Sequence, residues 1–164
     1  MTDLSADHLR DLFHYDETTG TFTRRVRTSN RINVGDVAGN LMATGYVRFC
    51  VNGRAYTAHR LAWLYVHGRW PDGEIDHING QRDDNRIANL REVSRGQNMQ
   101  NLRSARLCNK AGLLGVSWDE RNKKWRADIR VSGTRKNLGR YATPQEAHSE
   151  YLRAKALMHP FGTI

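Results

Sequence analysis

The stretch Glu74–Asn101, EIDHINGQRDDNRIANLREVSRGQNMQN, decides how the rest of this chain is read. Glu74 to His77 is a short apolar-acidic strand that ends in Asp76-His77. A tight polar loop follows, from Asn79-Gly80 through Asp83-Asp84-Asn85. Asn89-Leu90-Arg91-Glu92-Val93 forms a second short strand, and Ser94 stands at a helix N-cap position ahead of Gln97-Asn98. Strand, loop, strand and helix in so short a span cannot hold a core of their own. The size suits one metal ion and one base held against a phosphodiester.

The polar residues come in the order Asp76, His77, Asn89, Asn98. A carboxylate and an amide oxygen are hard ligands that suit Mg²⁺, which keeps several waters and takes one or two carboxylates from protein. A neutral imidazole beside them can take a proton from an attacking water near neutral pH. The metal meanwhile stabilises charge on the scissile phosphate and the leaving oxygen. A lone histidine at a strand end is ordinarily a structural residue with a satisfied hydrogen bond, so the weight rests on the whole run. Asp76 and His77 are neighbours, and neighbouring strand residues point to opposite faces. For both to face a phosphate, the strand must end or twist there.

The pattern DHINGxxxDNRxxNLRxVxxxxN resembles the His-Asn-His (HNH) nuclease family, in the homing-endonuclease branch whose final histidine is an asparagine. The resemblance implies that His77 is the general base and that Asp76 and Asn98 hold the metal. It makes Asn89 the middle asparagine, which orients the loop and its histidine. Asn98 stands where many relatives carry histidine. An amide is a poorer ligand than imidazole for softer metals, which favours Mg²⁺ or Mn²⁺ over Zn²⁺.

At 164 residues the chain has room for one domain or two small ones, and 38% hydrophobic with 26% charged residues is ordinary for a soluble protein. No apolar run approaches membrane length, and MTDLSADHLRDLF is acidic and amphipathic rather than signal-like. The expectation is a cytoplasmic protein with no membrane partner. Cys50 and Cys108 lie far apart with no CxxC partner, so both read as buried thiols rather than a disulfide or zinc site. Of the net charge of +9, residues 1–100 hold 13 Lys and Arg against 12 Asp and Glu, whereas residues 101–164 hold 13 against 5. A positive excess so concentrated in the last third implies a polyanion, with nucleic acid first.

Before the central stretch, residues 4–15 read as a helix and Thr21–Asn30 as a strand with a basic face. On that face Arg25 and Arg27 either contact phosphate or are simply solvated. Residues 44–58 are a hairpin turning at Asn52-Gly53, and His59–His67 is a helix ended by Gly68. His59 and His67 read as structural. The sequence AHRLAWLY ahead of the Asp-His pair also resembles the scaffold of HNH homing enzymes.

After Asn101, residues 102–112 form a basic connector in which Arg103 and Arg106 are placed to track DNA. Residues 113–164 make a second unit. Lys124–Val131 alternates strictly, with Trp125, Ala127, Ile129 and Val131 on one face and Arg126, Asp128 and Arg130 on the other. Thr143-Pro144 with Glu146 opens a helix whose apolar stripe, Ala147, Tyr151, Ala154 and Met158, covers the first face. Arg126, Arg130, Arg135 and Asn137 are left displayed on the open face, with Arg121 and Lys124 at the turn beside it. Such a sheet can enter a major groove. The blocks GVSW, KWRADIR, RKNLGRY and TPQEAHSEY resemble the ethylene-response-factor-type DNA-binding domain. Carried over by position, the resemblance puts Asp128, Arg130, Arg135 and Asn137 on DNA. The first turn is a residue shorter than the plant pattern and lacks its RPWG.

The expected fold class is α+β: a ββα-metal (HNH) nuclease unit over residues 1–101, then a three-stranded antiparallel sheet packed on one helix. The expected function is a metal-dependent endonuclease, monomeric on double-stranded DNA, that nicks one strand of a non-palindromic site. Two rivals are a sequence-specific DNA-binding regulator with a vestigial nuclease unit, and a structure-specific or RNA-directed nuclease.

Overall fold

Ser5 accepts a hydrogen bond from the backbone of His8 and so caps the first helix, α1 (Ala6–Leu12). In the computed structural model, which describes residues 4–101, 105 and 109–160, this helix is shorter than its apolar spacing predicts. Phe13–Asp16 is instead a strand, β1, because Phe13 and Tyr15 are buried while His14 is exposed, a period of two. It pairs antiparallel with β2 (Thr21–Arg24) through a turn closed by the Asp16 carboxylate, which accepts from the Thr18 backbone. The strand expected to run to Asn30 stops at Arg24, whose backbone N–H donates to Asp36 and whose carbonyl accepts from Gly35. The chain folds back there rather than continuing.

A three-stranded sheet, order β3-β4-β5, follows from β3 (Asn40–Leu41), β4 (Val47–Val51) and β5 (Arg54–Thr57). Asn52 and Gly53 both adopt positive φ, 50° and 76°, as the two-residue turn between β4 and β5 requires. Cys50, expected to be buried, is exposed, because β4 alternates and turns Phe49 and Val51 inward instead. Cys108 lies outside the described residues. The helix α2 (Ala58–His67) ends at Gly68 in the left-handed region and buries Leu61, Ala62 and Leu64 against the rings of the sheets. Phe13, Phe22 and Phe49 contact one another at 5.1–6.3 Å between ring centroids. Each such side chain contributes about 1.5–3 kcal/mol on burial. The hairpin β6 (Glu74–His77) and β7 (Leu90–Val93) closes this first unit, residues 1–93.

Residues 94–164 form the second unit, which opens on the helix α3 (Arg95–Asn98). Ser94 caps α3 in a reciprocal box with Gln97. Strands β8 (Val116–Asp119), β9 (Lys124–Val131) and β10 (Thr134–Tyr141) make an antiparallel sheet with β9 in the middle. The helix α4 (Pro144–Met158) starts on Thr143, with Glu146 completing its capping box. Ala147, Tyr151 and Ala154 of α4 pack on Val116, Ala127 and Ile129. Gly115 is at φ +77°, and any side chain there would overlap the Tyr151 ring. No helix among the described residues is long and apolar enough to cross a membrane.

Candidate functional site

At the end of β6 the register sets Asp76 opposite Arg91 and His77 opposite Leu90. The two side chains follow the alternation of the strand. Asp76 meets Arg91 across the ladder, and His77 meets Asn85, Tyr46 and His59. Both are buried.

His77 Nε2 lies 3.4 Å from Asn85 Oδ1, while Asn85 Nδ2 donates to the Asp83 carbonyl at 2.9 Å. The second bond fixes which end of the amide faces the ring, since only the nitrogen can donate. Asn85 therefore presents its oxygen to the ring, where His77 Nε2 is placed to donate to it. Asn85 is held in turn from the first hairpin. Tyr15 Oη donates to its carbonyl at 2.7 Å, and a Cβ on Gly20, which sits at φ +73°, would come within 2.5 Å of the Asn85 and Arg86 backbone.

Asn89 bridges the loop. Its Oδ1 accepts from the Asn79 backbone at 3.0 Å, its Nδ2 donates to the Asp84 carbonyl at 2.8 Å, and its carbonyl accepts from Ile78 beside His77. Asp84 completes the frame by accepting from Asn79 Nδ2 at 2.7 Å and from Arg86 through both oxygens. Those Arg86 hydrogen bonds, the leading cause, hold the Asp84 carboxyl down at about 2.

Burial pushes the His77 imidazole below its ordinary value, and the Asn85 bond with the Asp76 and Asp84 charges opposes part of that shift. His59, packed against it, is driven down to about 3 by burial first, then by His77 and Arg60. At neutral pH both rings are uncharged.

A divalent cation needs hard oxygen donors, and Asp76 supplies a carboxylate next to the histidine. Two Arg91 donors, Nε at 2.9 Å and Nη2 at 2.7 Å, fall on Asp76 Oδ2. Among the described residues no three His, Cys, Asp or Glu side chains gather as a metal cluster. Asn98 lies at the end of α3 in the second unit, with its backbone N–H on the Ser94 carbonyl.

In the second unit the open sheet face carries Arg126, Asp128 and Arg130 from β9, facing Arg135 and Asn137 of β10. Asp128 accepts from Arg126 Nε at 2.9 Å and from Arg135 Nη2. A bulge after Asn137 leaves both Leu138 and Gly139 on the core side, so that Arg140 pairs with Arg126 on the open face. Arg140 Nε donates to Asp119 at 2.8 Å. Strict alternation would send Arg140 to the core side, which is why the sequence does not mark it. Arg121 and Lys124 are exposed at the β8–β9 turn, and Arg103 and Arg106 lie outside the described residues.

The structure thus adds Asn85, Asp84, His59 and Tyr46 to the surroundings of His77. Asp84 and Asn85 stand inside the motif, where their side-chain chemistry already marks a bonded loop. His59, inside the AHRLAWLY run of α2, and Tyr46, in the segment before β4, carry no local signal that they meet His77.

Residues 56–100 match the family model described as HNH endonuclease. Protein 3.8 of Escherichia phage T7 is 28% identical over 111 residues, which cover 61% of this chain and 91% of that one. The solved structure described as DNA binding and cleavage by the HNH homing endonuclease I-HmuI aligns with 84% of this chain and 76% of its own, at 21% identity and a TM-score of 0.45.

Proposed function

We propose that this chain is a metal-dependent DNA endonuclease of the homing type that nicks one strand of a double-stranded site. The observation that carries this reading is the end of β6. There a buried, uncharged imidazole has Nε2 turned to Asn85, inside the stretch that matches the HNH endonuclease model.

In this reading His77 Nδ1 takes a proton from water as the water oxygen bonds to phosphorus and one P–O ester bond breaks. The leaving oxygen takes its proton from solvent. Asn89 holds the loop that carries Asn85 and so keeps the ring aimed. Asp76 is assigned as a cation ligand, and Asn98 is assigned with it on the residue order of the motif. A bound Mg²⁺ or Mn²⁺ would neutralise charge on the phosphate and the leaving oxygen.

The second unit reads DNA with the open sheet face, through Arg126, Arg130, Arg135 and Asn137, with Asp128 holding two of the guanidinium groups and Arg121 and Lys124 beside them. With one histidine site and one such face, the protein acts as a monomer and cuts one strand. A phage-encoded protein working on DNA in the bacterial cytoplasm fits the phage relative.

Supercoiled plasmid containing a cognate site, incubated with Mg²⁺, should give open circle first, at a rate linear in protein concentration, and EDTA should stop it. Linear product without an open-circle precursor would replace the nicking monomer with a concerted dimer. No cleavage with either Mg²⁺ or Mn²⁺ would end the endonuclease reading.

A further inference from the structure

Between His77 and the end of β7 the chain carries Arg82, Arg86 and Arg91, and the last two are answered by carboxylates. Arg86 grips both oxygens of Asp84 through Nε and Nη2, at 2.8 Å and 2.6 Å, and Arg91 pairs with Asp76. Arg82 is different. It is exposed, and it makes no ion pair among the described residues.

Neutral groups alone hold it. Nη1 donates to the Thr44 carbonyl at 2.8 Å, and the guanidinium lies over the Tyr46 ring, 5.1 Å from its centre. The stem runs beside Gly45, where an added Cβ would meet Arg82 Cδ at 3.6 Å. That segment is a closed turn, in which the Gly45 N–H donates to the Met42 carbonyl at 2.8 Å and the Met42 N–H to that of Tyr46 at 2.9 Å. A long exposed side chain keeps its rotamer freedom unless contacts remove it. Here a carbonyl, a ring and a glycine remove it and leave the charge uncompensated.

The open edge of this guanidinium indicates its ligand. Nε and Nη2 of Arg82 have no acceptor among the described residues, and this is the edge with which Arg86 takes the two oxygens of Asp84. Such an edge matches the paired oxygens of a phosphate as well as those of a carboxylate. Its place indicates which phosphate. The Tyr46 ring that carries Arg82 also packs on His77, with 5.8 Å between centroids. The cation and the imidazole of the candidate site thus share one support.

We propose that Arg82 is a phosphate-binding residue of the His77 site, its Nε–Nη2 edge taking the non-bridging oxygens of the phosphodiester to be cut. The kinetic consequence rests on the endonuclease reading, whereas the capture of phosphate by this edge does not. As the water oxygen bonds to phosphorus, negative charge grows on the non-bridging oxygens. A donor already aimed at them stabilises that state more than the ground state. The motif reads position 82 only as a spacer between Gly80 and Asp84, so this gives it a role of its own.

The test uses the full chain with Arg82→Gln, which removes the charge and the edge, and Arg82→Lys, which keeps the charge alone. Arg82→Ala stands in should the glutamine variant not fold. With saturating protein on supercoiled plasmid and Mg²⁺, Arg82→Gln should slow single-turnover nicking on the order of 10²-fold. Arg82→Lys should fall between it and the wild type. Without metal, the ¹⁵Nε–¹Hε signal of Arg82 should shift as a short DNA duplex of mixed sequence is added. If the wild type does not nick, the nuclease reading falls, and this signal alone decides whether Arg82 binds phosphate. A signal that stays in place until the DNA saturates the protein would overturn the inference. So would a folded Arg82→Gln (or Ala) that nicks at the wild-type rate.

Discussion

The surroundings of His77 and the open face of the C-terminal sheet are both rich in polar side chains, yet they are built on opposite principles. Around His77, the groups are buried and mostly neutral, and each is fixed by a bond to backbone: Asn85 to Asp83, Asn89 to Asn79 and Asp84. On β9 and β10 the groups are charged and reach solvent, and they are fixed to one another: Arg126 and Arg135 to Asp128, Arg140 to Asp119. Burial makes the first region sensitive to protonation and to small displacements. Exposure makes the second sensitive to salt, because surface charges are screened over roughly 10 Å at 0.1 M ionic strength. A site that moves a proton needs the first kind of environment, and a surface that meets phosphates needs the second.

The contrast is broken most directly at His77. His77→Ala should lower the nicking rate on the order of 10²–10⁴-fold and leave DNA affinity, measured by mobility shift, within experimental scatter. An equal loss of binding would make His77 part of the DNA-contact surface and dissolve the distinction between the two regions.

Protonation provides the next largest effect. The folded pKa of His59 is depressed to about 3, so the unfolded chain binds a proton at acid pH that the folded chain refuses. The stability tied to a neutral His59 is therefore fully present above about pH 6.5 and drains away as pH falls from there towards the folded value. Between pH 7 and pH 5 the loss should be about 2 kcal/mol, at 1.36 kcal/mol per unit. Amide exchange of β4, α2 and β6 should register it, and His59→Phe should flatten that slope. Amides of β9 and α4 should show no such histidine-dependent slope. If they do, acid sensitivity is not confined to the first unit.

Gly20→Ala comes third. It forces a side chain into a positive φ and within 2.5 Å of the Asn85–Arg86 backbone, so the cost should exceed about 1 kcal/mol. Denaturation gives the loss, and the ring resonances of His77 should move with it, because Asn85 is displaced. Stability lost with an unmoved His77 would uncouple the β1–β2 hairpin from the site.

The smallest single effect belongs to the exposed face. Arg130→Ala should weaken DNA binding about tenfold, within the range of one bidentate base contact, and do so more on cognate than on random duplex. An equal loss on both, with a shallower dependence on salt, would make Arg130 a phosphate contact. Arg140→Ala sharpens the same point. If only the residues of strict alternation matter, Arg140 is neutral; if the bulge sets the face, it behaves like Arg130.

Much of this molecule was legible in residue order because the signals were local. The Asn52-Gly53 turn, the Gly68 stop of α2, the Ser94 and Thr143 caps and the alternation of β9 each depend on a few neighbours, and each stands as read. The motif from Asp76 to Asn98 was equally visible, since it is a pattern of side-chain chemistry along one stretch. Where local preference competed with long-range pairing, the pairing won. Phe13–Asp16 carries helical spacing but becomes a strand because Thr21–Arg24 completes its ladder and the aromatic core takes Phe13 and Tyr15. Cys50 is turned outward by the register of β4, and Arg140 reaches the open face only through one extra residue in β10. No local pattern shows that the rings of Tyr46, His59 and His77 meet, although His59 and His77 each stand inside a run that the sequence marks. The three come from the segment before β4, from α2 and from β6, and what joins them is burial, which acts through space and leaves no periodicity in the chain.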